Sequence, residues 1–386
     1  MIEEKISARA KNIKPSSTLA VNKKAAELIA AGERVINLSV GEPDFDTPEF
    51  IKQSAINALN QGFTKYTDSS GIKPLRQAIC EKFKRDNSLV YQPDQIVVSC
   101  GAKHSLFNIM LAICDEGDEV IIPAPYWVSY PEMVKLAGGK CVVCRYNEDF
   151  KIDIEHLKSI ITKKTKALIL NSPSNPTGIV YTRQELQQIA EIVCQHKIIV
   201  ISDEVYEKLI YDGQKHVSIA SLGDDIKKLT VVVNGLSKTY SMTGWRIGYL
   251  AAELSLAKSI ANIQSQTTSN PTSFVQKAAL EAILADQSFV EKMVEEFERR
   301  RNYILENISP LITYCRPAGA FYLLLKIGDM PSTQLAQRLL EEEKLATVPG
   351  DDFGADGFVR ISFATDMENI KETIKRLNRF AERMKK

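Results

Sequence analysis

Short runs of β-branched and aliphatic residues alternate along this chain with longer stretches in which apolar residues recur every three or four positions. The first pattern suits strands covered on both faces and the second suits the helices that cover them. From residue 48 onward the alternation therefore predicts an α/β fold with a mostly parallel, seven-stranded sheet. The strand candidates are 95–99, 119–122, 140–144, 167–170, 198–201, 230–234 and 247–251. Thr47-Pro48-Glu49 reads as an N-cap followed by Pro at the first helical position, opening a helix through Leu59. Further helices are expected over 74–85 and 182–195. Beyond about Ser255 the helical periods lengthen and run to about Asn307, with a charged stretch at 291–301 that reads as a solvated face. Strands at 320–325 and 357–362 follow, framed by helices starting near Ser332 and Met367. The leading segment, a helix over 19–31 and a strand over 35–38, is too small to own a core and is expected to pack on this last layer. The chain thus divides into a large domain over 48–290 and a smaller, discontinuous α+β domain built from 1–47 and 291–386.

Composition narrows the function classes. With 44% hydrophobic and 25% charged residues among 386, the chain is an ordinary globular protein. Lys and Arg number 49 against 48 Asp and Glu, a net charge of +1, so no global field recruits nucleic acid or anionic lipid and any anion site is local. Apolar runs fall far short of the roughly 20 residues of a membrane helix. The charged start Met1-Ile2-Glu3-Glu4-Lys5 lacks the apolar stretch of a signal peptide, which points to the cytoplasm. Seven scattered cysteines read as reduced thiols, Cys141-Val142-Val143-Cys144 has no second pair, and the four histidines lack ligand spacing, so no metal is expected. Nucleotide-binding glycine motifs are missing as well.

The densest chemistry is Ser237-Lys238-Thr239-Tyr240-Ser241-Met242-Thr243-Gly244-Trp245-Arg246, directly after the strand at 230–234. Beyond a strand end of an α/β sheet, a Lys followed eight residues on by an Arg is either an amine nucleophile beside a phosphate-holding cation or a solvated loop with two unrelated cations. Asn175, after the strand at 167–170, is a turn residue before Pro or a ligand contact; Asp203, after the strand at 198–201, is a helix cap or a buried acid. Three coincident strand ends carry an amide, a carboxylate with the Tyr206 phenol, and an amine to one sheet edge, a set that suits a pyridine aldehyde cofactor.

With these segments, Ser39-Val40-Gly41-Glu42-Pro43-Asp44-Phe45-Asp46-Thr47-Pro48, Lys65-Tyr66, Pro125-Tyr126-Trp127, Asn175-Pro176-Thr177-Gly178 and Gly357-Phe358-Val359-Arg360-Ile361-Ser362, the chain resembles the fold type I pyridoxal phosphate (PLP) enzymes. Within them it is similar to class I aminotransferases of the bacterial aspartate aminotransferase subgroup, over nearly its whole length. The resemblance implies that Lys238 is the Schiff-base lysine and the proton carrier, that Asp203 faces the ring nitrogen, and that Tyr206 and Asn175 bond the ring's 3′ oxygen. Trp127 would lie beside cofactor and substrate. Ser237, Arg246 and the helix start at Ala102-Lys103 would hold the phosphate, joined by Tyr66 from the neighbouring subunit of a homodimer with shared active sites. Arg360 and Gly41 would take the substrate α-carboxylate and Lys103 a distal carboxylate.

The implied reaction moves an amino group from L-aspartate to 2-oxoglutarate in two half-reactions, with amino acids and oxo acids as the only partners. His104 stands where the subgroup has Gln, and Ser69-Ser70 replaces a Pro-containing step. Prephenate or aromatic amino acid transamination and carbon-sulfur β-elimination stay open as alternatives, and the stretch Lys14 to Thr18 is a candidate to lie over the substrate and bias the choice. A PLP-binding regulator would need a DNA-binding module, for which the roughly 47 residues before the large domain leave no room.

Overall fold

In a computed structural model the chain is described from residue 2 to 385 except for Lys14 and Ser16, and at Ser17 for the backbone only, so part of the Lys14 to Thr18 stretch lies outside the described residues. Thirteen strands are present among these residues: β1 Ile36–Asn37, β2 Ile96–Ser99, β3 Glu119–Pro123, β4 Lys140–Cys144, β5 Thr165–Asn171, β6 Ile199–Asp203, β7 Thr230–Gly235, β8 Gly248–Ala251, β9 Ile312–Tyr314, β10 Tyr322–Ile327, β11 Leu345–Ala346, β12 Val348–Pro349 and β13 Val359–Ser362. All seven strands expected for the large sheet form it, in the order β2-β8-β7-β6-β5-β3-β4, with β8 antiparallel to both its neighbours and the rest parallel. Its central strands are unbroken apolar runs because helices cover both faces: Leu168, Val200, Ile201, Val232 and Val233 are fully buried.

The later part of the chain builds a second, antiparallel sheet in the order β12-β13-β10-β9. Strand β1 from the leading segment pairs in parallel with β11, and Ile36 and Leu38 are buried in the core of this layer. Helix Ser288–Asn307 reaches both layers, with Val290 in the core beside β2 and β8 and Met293 and Phe297 in the core of the small sheet. No helix among the described residues is long and apolar enough to cross a membrane.

Two local expectations are corrected. Pro48, not Thr47, occupies the N-cap of helix Glu49–Asn60. The Thr47 hydroxyl instead donates to the Ser241 carbonyl at 2.6 Å and accepts from Trp245 Nε1 at 3.0 Å, which ties residue 47 to the loop after β7. The charged stretch 291–301 is no uniform solvated face either: Arg300 and Arg301 are 5% and 1% exposed. Acids from distant segments draw them in, Asp44 bonding Arg300 at 2.7 Å and Asp212 bonding both terminal nitrogens of Arg301 at 2.6 and 2.7 Å.

Candidate active site

The carboxyl ends of β5, β6 and β7 open into a cavity of about 540 Å³ between the two layers. Register sets Asn171 beside Asp203 and Gly235 beside Gly248, and Gly248 also pairs with Ser99. This crossing leaves no room for a side chain at 248, where a Cβ would stand 2.3 Å from the backbone nitrogen of Ala102. The helix Ala102–Ile113 therefore starts tight against the sheet, its first N–H groups at the cavity wall. Gly101 caps it at φ +89°, and a Cβ there would meet the Arg246 guanidinium at 2.8 Å. A helix N-terminus, Arg246 and the Ser237 hydroxyl thus share one wall, a donor set suited to phosphate. Arg246 Nη1 donates to the Thr243 carbonyl at 2.8 Å, and Thr243 Oγ1 donates to Glu42 at 2.6 Å.

Asp203 ends β6 inside the protein, 3% exposed. It accepts from Tyr130 Oη at 2.7 Å and from the Val205 N–H at 3.3 Å. Burial pushes its carboxyl up to about 6; those two bonds and the Lys238 charge oppose the rise, and Glu204 adds to it. Lys238 sits on the short helix Leu236–Thr239, its Nζ bonded to the Gly41 carbonyl. Burial lowers its ammonium to about 8, helped by the cations Arg360 and Arg246 and resisted by Glu42 and Asp203. About a tenth of the amine is then neutral at pH 7, far more than for an ordinary lysine, which favours a nucleophile or base.

Arg360, on β13, is 1% exposed and has no acidic partner among the described residues. Its Nη2 donates to the Ser39 carbonyl at 2.6 Å and its Nη1 to Asn175 Oδ1 at 3.1 Å, its Nε is unpaired, and its plane lies over the Tyr322 ring at 4.6 Å. A buried guanidinium left without an anion is a ready receptor for a carboxylate. Tyr206 shares a 2.9 Å hydrogen bond with Tyr322. Lys103 lies with its Nζ 4.7 Å from the Trp127 ring centre, and Trp127 packs edge-on against Tyr130.

Gly41, Ala102, Lys103, Trp127, Asn175, Asp203, Tyr206, Ser237, Lys238, Arg246 and Arg360 all line this one cavity. Tyr66 is not among the lining residues and is 91% exposed. His104 is also outside the lining and turns its Nδ1 back to the Cys100 N–H at 3.4 Å, at the start of the same helix. Thr18 and Leu19 do reach the cavity. Tyr130 and Tyr322 are lining residues that sequence reasoning missed, and Glu42, Asn171 and Thr243 also line the cavity, inside segments that the sequence singles out but without a role assigned to them there. Tyr130 lies in the first turn of the helix Ser129–Leu136 with nothing in the chain to tie it to Asp203, and Tyr322 is lost in an apolar strand. Burial holds the Cys141 and Cys144 thiols up at about 11 and about 12, which suits inert side chains.

Among the described residues, four basic side chains and two acidic ones line the cavity, so it favours anions. Compared with known proteins, residues 33–377 match the family model for aminotransferase class I and II. The chain belongs to that family. Among similar proteins is the aspartate aminotransferase of Bacillus subtilis (strain 168), 48% identical over 98% of this chain and 99% of that one. A probable aspartate/prephenate aminotransferase of Aquifex aeolicus (strain VF5) is 46% identical, over 98% of each chain. A solved structure of aspartate aminotransferase from Thermus thermophilus with maleate superposes with a TM-score of 0.93 at 44% identity, covering 97% of this chain and 99% of that one. The mixed seven-stranded sheet is the fold type I architecture of these aminotransferases, as expected.

Proposed function

We propose that this aminotransferase uses PLP to move an amino group from L-aspartate to 2-oxoglutarate. The observation that carries the reading is that the Lys238 amine and the Asp203 carboxylate open into one cavity that also holds Arg360 without an anion. The residues fit the cofactor: a phosphate-type donor set stands on one wall, and Asp203 has hydrogen-bond donors but no cation of its own among the described residues. Bound PLP supplies an aldehyde that takes the amino group and a ring that spreads the charge left at Cα.

The chain's own residues do the rest. Asp203 presents negative charge to the ring nitrogen. Lys238, freed from the Gly41 carbonyl, carries the proton to and from the substrate Cα. Arg360 grips the α-carboxylate and Gly41 abuts it, while Lys103 takes the second carboxylate of a dicarboxylic substrate. Tyr206 and Asn175 orient the ring, and Trp127 limits its sliding. Residues 48–290 form the cofactor-holding domain, with 1–47 and 291–386 as the smaller one, and the protein works as a cytoplasmic homodimer in which the exposed Tyr66 reaches the phosphate of the partner subunit. Prephenate is the second reading, favoured by the Trp127 ring beside Lys103, which offers a flat apolar face next to the cation.

The test joins spectroscopy to substrate choice. Purified with PLP, the protein is expected to show a visible absorption band that disappears in Lys238→Ala. In Lys103→Ala, kcat/KM for aspartate is expected to fall roughly 100-fold while an aromatic donor loses only a few fold, since a charge-paired contact is removed from the dicarboxylate alone. An equal fall for both donors removes Lys103 from the specificity role.

A further inference from the structure

On the far side of the β6 end from the cavity lies a second set of charged groups that no step above uses. Successive residues of an extended segment point opposite ways. Asp203 turns to Tyr130, and Glu204 turns back to Ser202, Ser218 and His216. Glu204 is 1% exposed; its Oε1 accepts from the two Ser hydroxyls at 2.8 and 2.6 Å and its Oε2 meets His216 Nε2 at 2.9 Å. One turn on, Glu207 is held by Lys82 and by Asn87 Nδ2 at 2.7 Å. The ligand-type atoms of Glu204, Glu207 and His216 lie within 4.8 Å of one another, yet each carboxylate oxygen already has a donor, so this is a charge network rather than a cation site; the second ring nitrogen of His216, Nδ1, is buried with no hydrogen-bond partner.

Among the described residues, every lysine and arginine of this network pairs with Glu207 or Asp86 and none reaches Glu204. Lys82 answers Glu207, and beyond it Lys208 and Arg85 answer Asp86. His216 is the group left to answer Glu204. Asp203, one residue away, has only a phenol and an N–H within reach. Two buried carboxylates on consecutive residues compete for nearby positive charge and for protons.

We propose that His216 is a positioning residue for Asp203: as an imidazolium it neutralises Glu204 from behind, which leaves the Asp203 charge to a protonated ring nitrogen in the cavity. This rests on the PLP reading. Burial and Lys82 pull the His216 imidazolium down, but Glu204 and Glu207 outweigh them and the group titrates above its ordinary range. With a neutral residue at 216, the Glu204 charge acts more strongly on the adjacent Asp203 carboxyl than on a ring nitrogen beyond it, and the shared proton moves toward Asp203.

The experiment uses the full chain, first without cofactor and then with PLP, as wild type, His216→Gln, Glu204→Gln and the double variant. Carbon-13 NMR of labelled Asp, with the Asp203 signal assigned by its loss in Asp203→Asn, is expected to show Asp203 titrating about half a pH unit or more higher in His216→Gln. In the Glu204→Gln background the His216 substitution is expected to leave that titration in place, because its influence passes through the Glu204 charge. With nitrogen-15 PLP bound, the ring signal is expected to move toward the unprotonated value in His216→Gln only. An unchanged Asp203 titration in His216→Gln, or an equal rise in both backgrounds, overturns the proposal. Where His216→Gln does not fold, imidazole nitrogen-15 NMR of the wild type decides: an imidazolium at neutral pH supports the proposal and a neutral ring overturns it. The carboxyl titration needs no cofactor, so its failure leaves the PLP reading standing, whereas failure of that reading shows as the absence of the absorption band from the wild type.

Discussion

Asp203 shows what a buried carboxylate costs its fold. Its acid form is favoured inside the protein, since burial lifts it from 3.8 to about 6. A group raised on folding contributes stability below its unfolded value and loses it as pH climbs through the folded value, so near neutral pH the ionised Asp203 weighs against the native state by about 3 kcal/mol. Asp203→Asn is therefore expected to make the cofactor-free chain more stable to urea by about 1–3 kcal/mol at neutral pH, a gain that fades toward pH 4, while abolishing transamination. Urea midpoints across that pH range, paired with activity, check both halves. Lys238 bears the same kind of cost with the opposite sign of charge, its ammonium lowered to about 8 by burial. These two groups are legible in the sequence because each follows an apolar run that ends at a polar residue. Tyr130 and His216 are not, because only the folded chain brings them against Asp203 and Glu204.

At the scale of elements, the cavity wall that carries Arg246 depends on how closely a helix start can approach a sheet. Gly248 lies where β8 passes beneath Ala102, and neither neighbour is a flexible side-chain tip that could swing aside. Gly248→Ala is expected to shift that helix start, to destabilise the chain by about 1–3 kcal/mol or more, and to weaken PLP retention many-fold; thermal melts and cofactor loss on dialysis measure the two effects. Six strands of the large sheet are readable from the chain because they are buried along most of their length and so written as continuous apolar runs, whereas β4, at the sheet edge with Lys140 and Val143 exposed, is readable only from its β-branched residues. Strands β9, β11 and β12 escape that reading, since two or three residues carry no period. The helix Arg183–His196 is announced by its capping box, with Thr182 and Glu185 bonding each other's backbone N–H, whereas Thr47 looks like a cap and is drawn away by Ser241 and Trp245. The buried Arg300 and Arg301 escape for the same reason, as their acids lie 256 and 89 residues away.

For the whole molecule, the segment between β1 and the first long helix of the large layer acts as a strap across the cavity mouth. Gly41 holds Lys238, Glu42 holds Thr243 and Thr47 holds Ser241, while Asp44 is fixed to Arg300 on the other layer. Helix Ser288–Asn307 makes the second connection, its Phe289 and Val294 packed against both cores. A helix shared in this way cannot melt out of one layer and stay intact in the other. Calorimetry is thus expected to record one endotherm rather than two, with equal van't Hoff and calorimetric enthalpies if unfolding is reversible and the protomer concentration is held fixed. Polar substitution of Phe297 would then lower that single midpoint instead of splitting it, so damage in the core of the small sheet would remove the large sheet along with it.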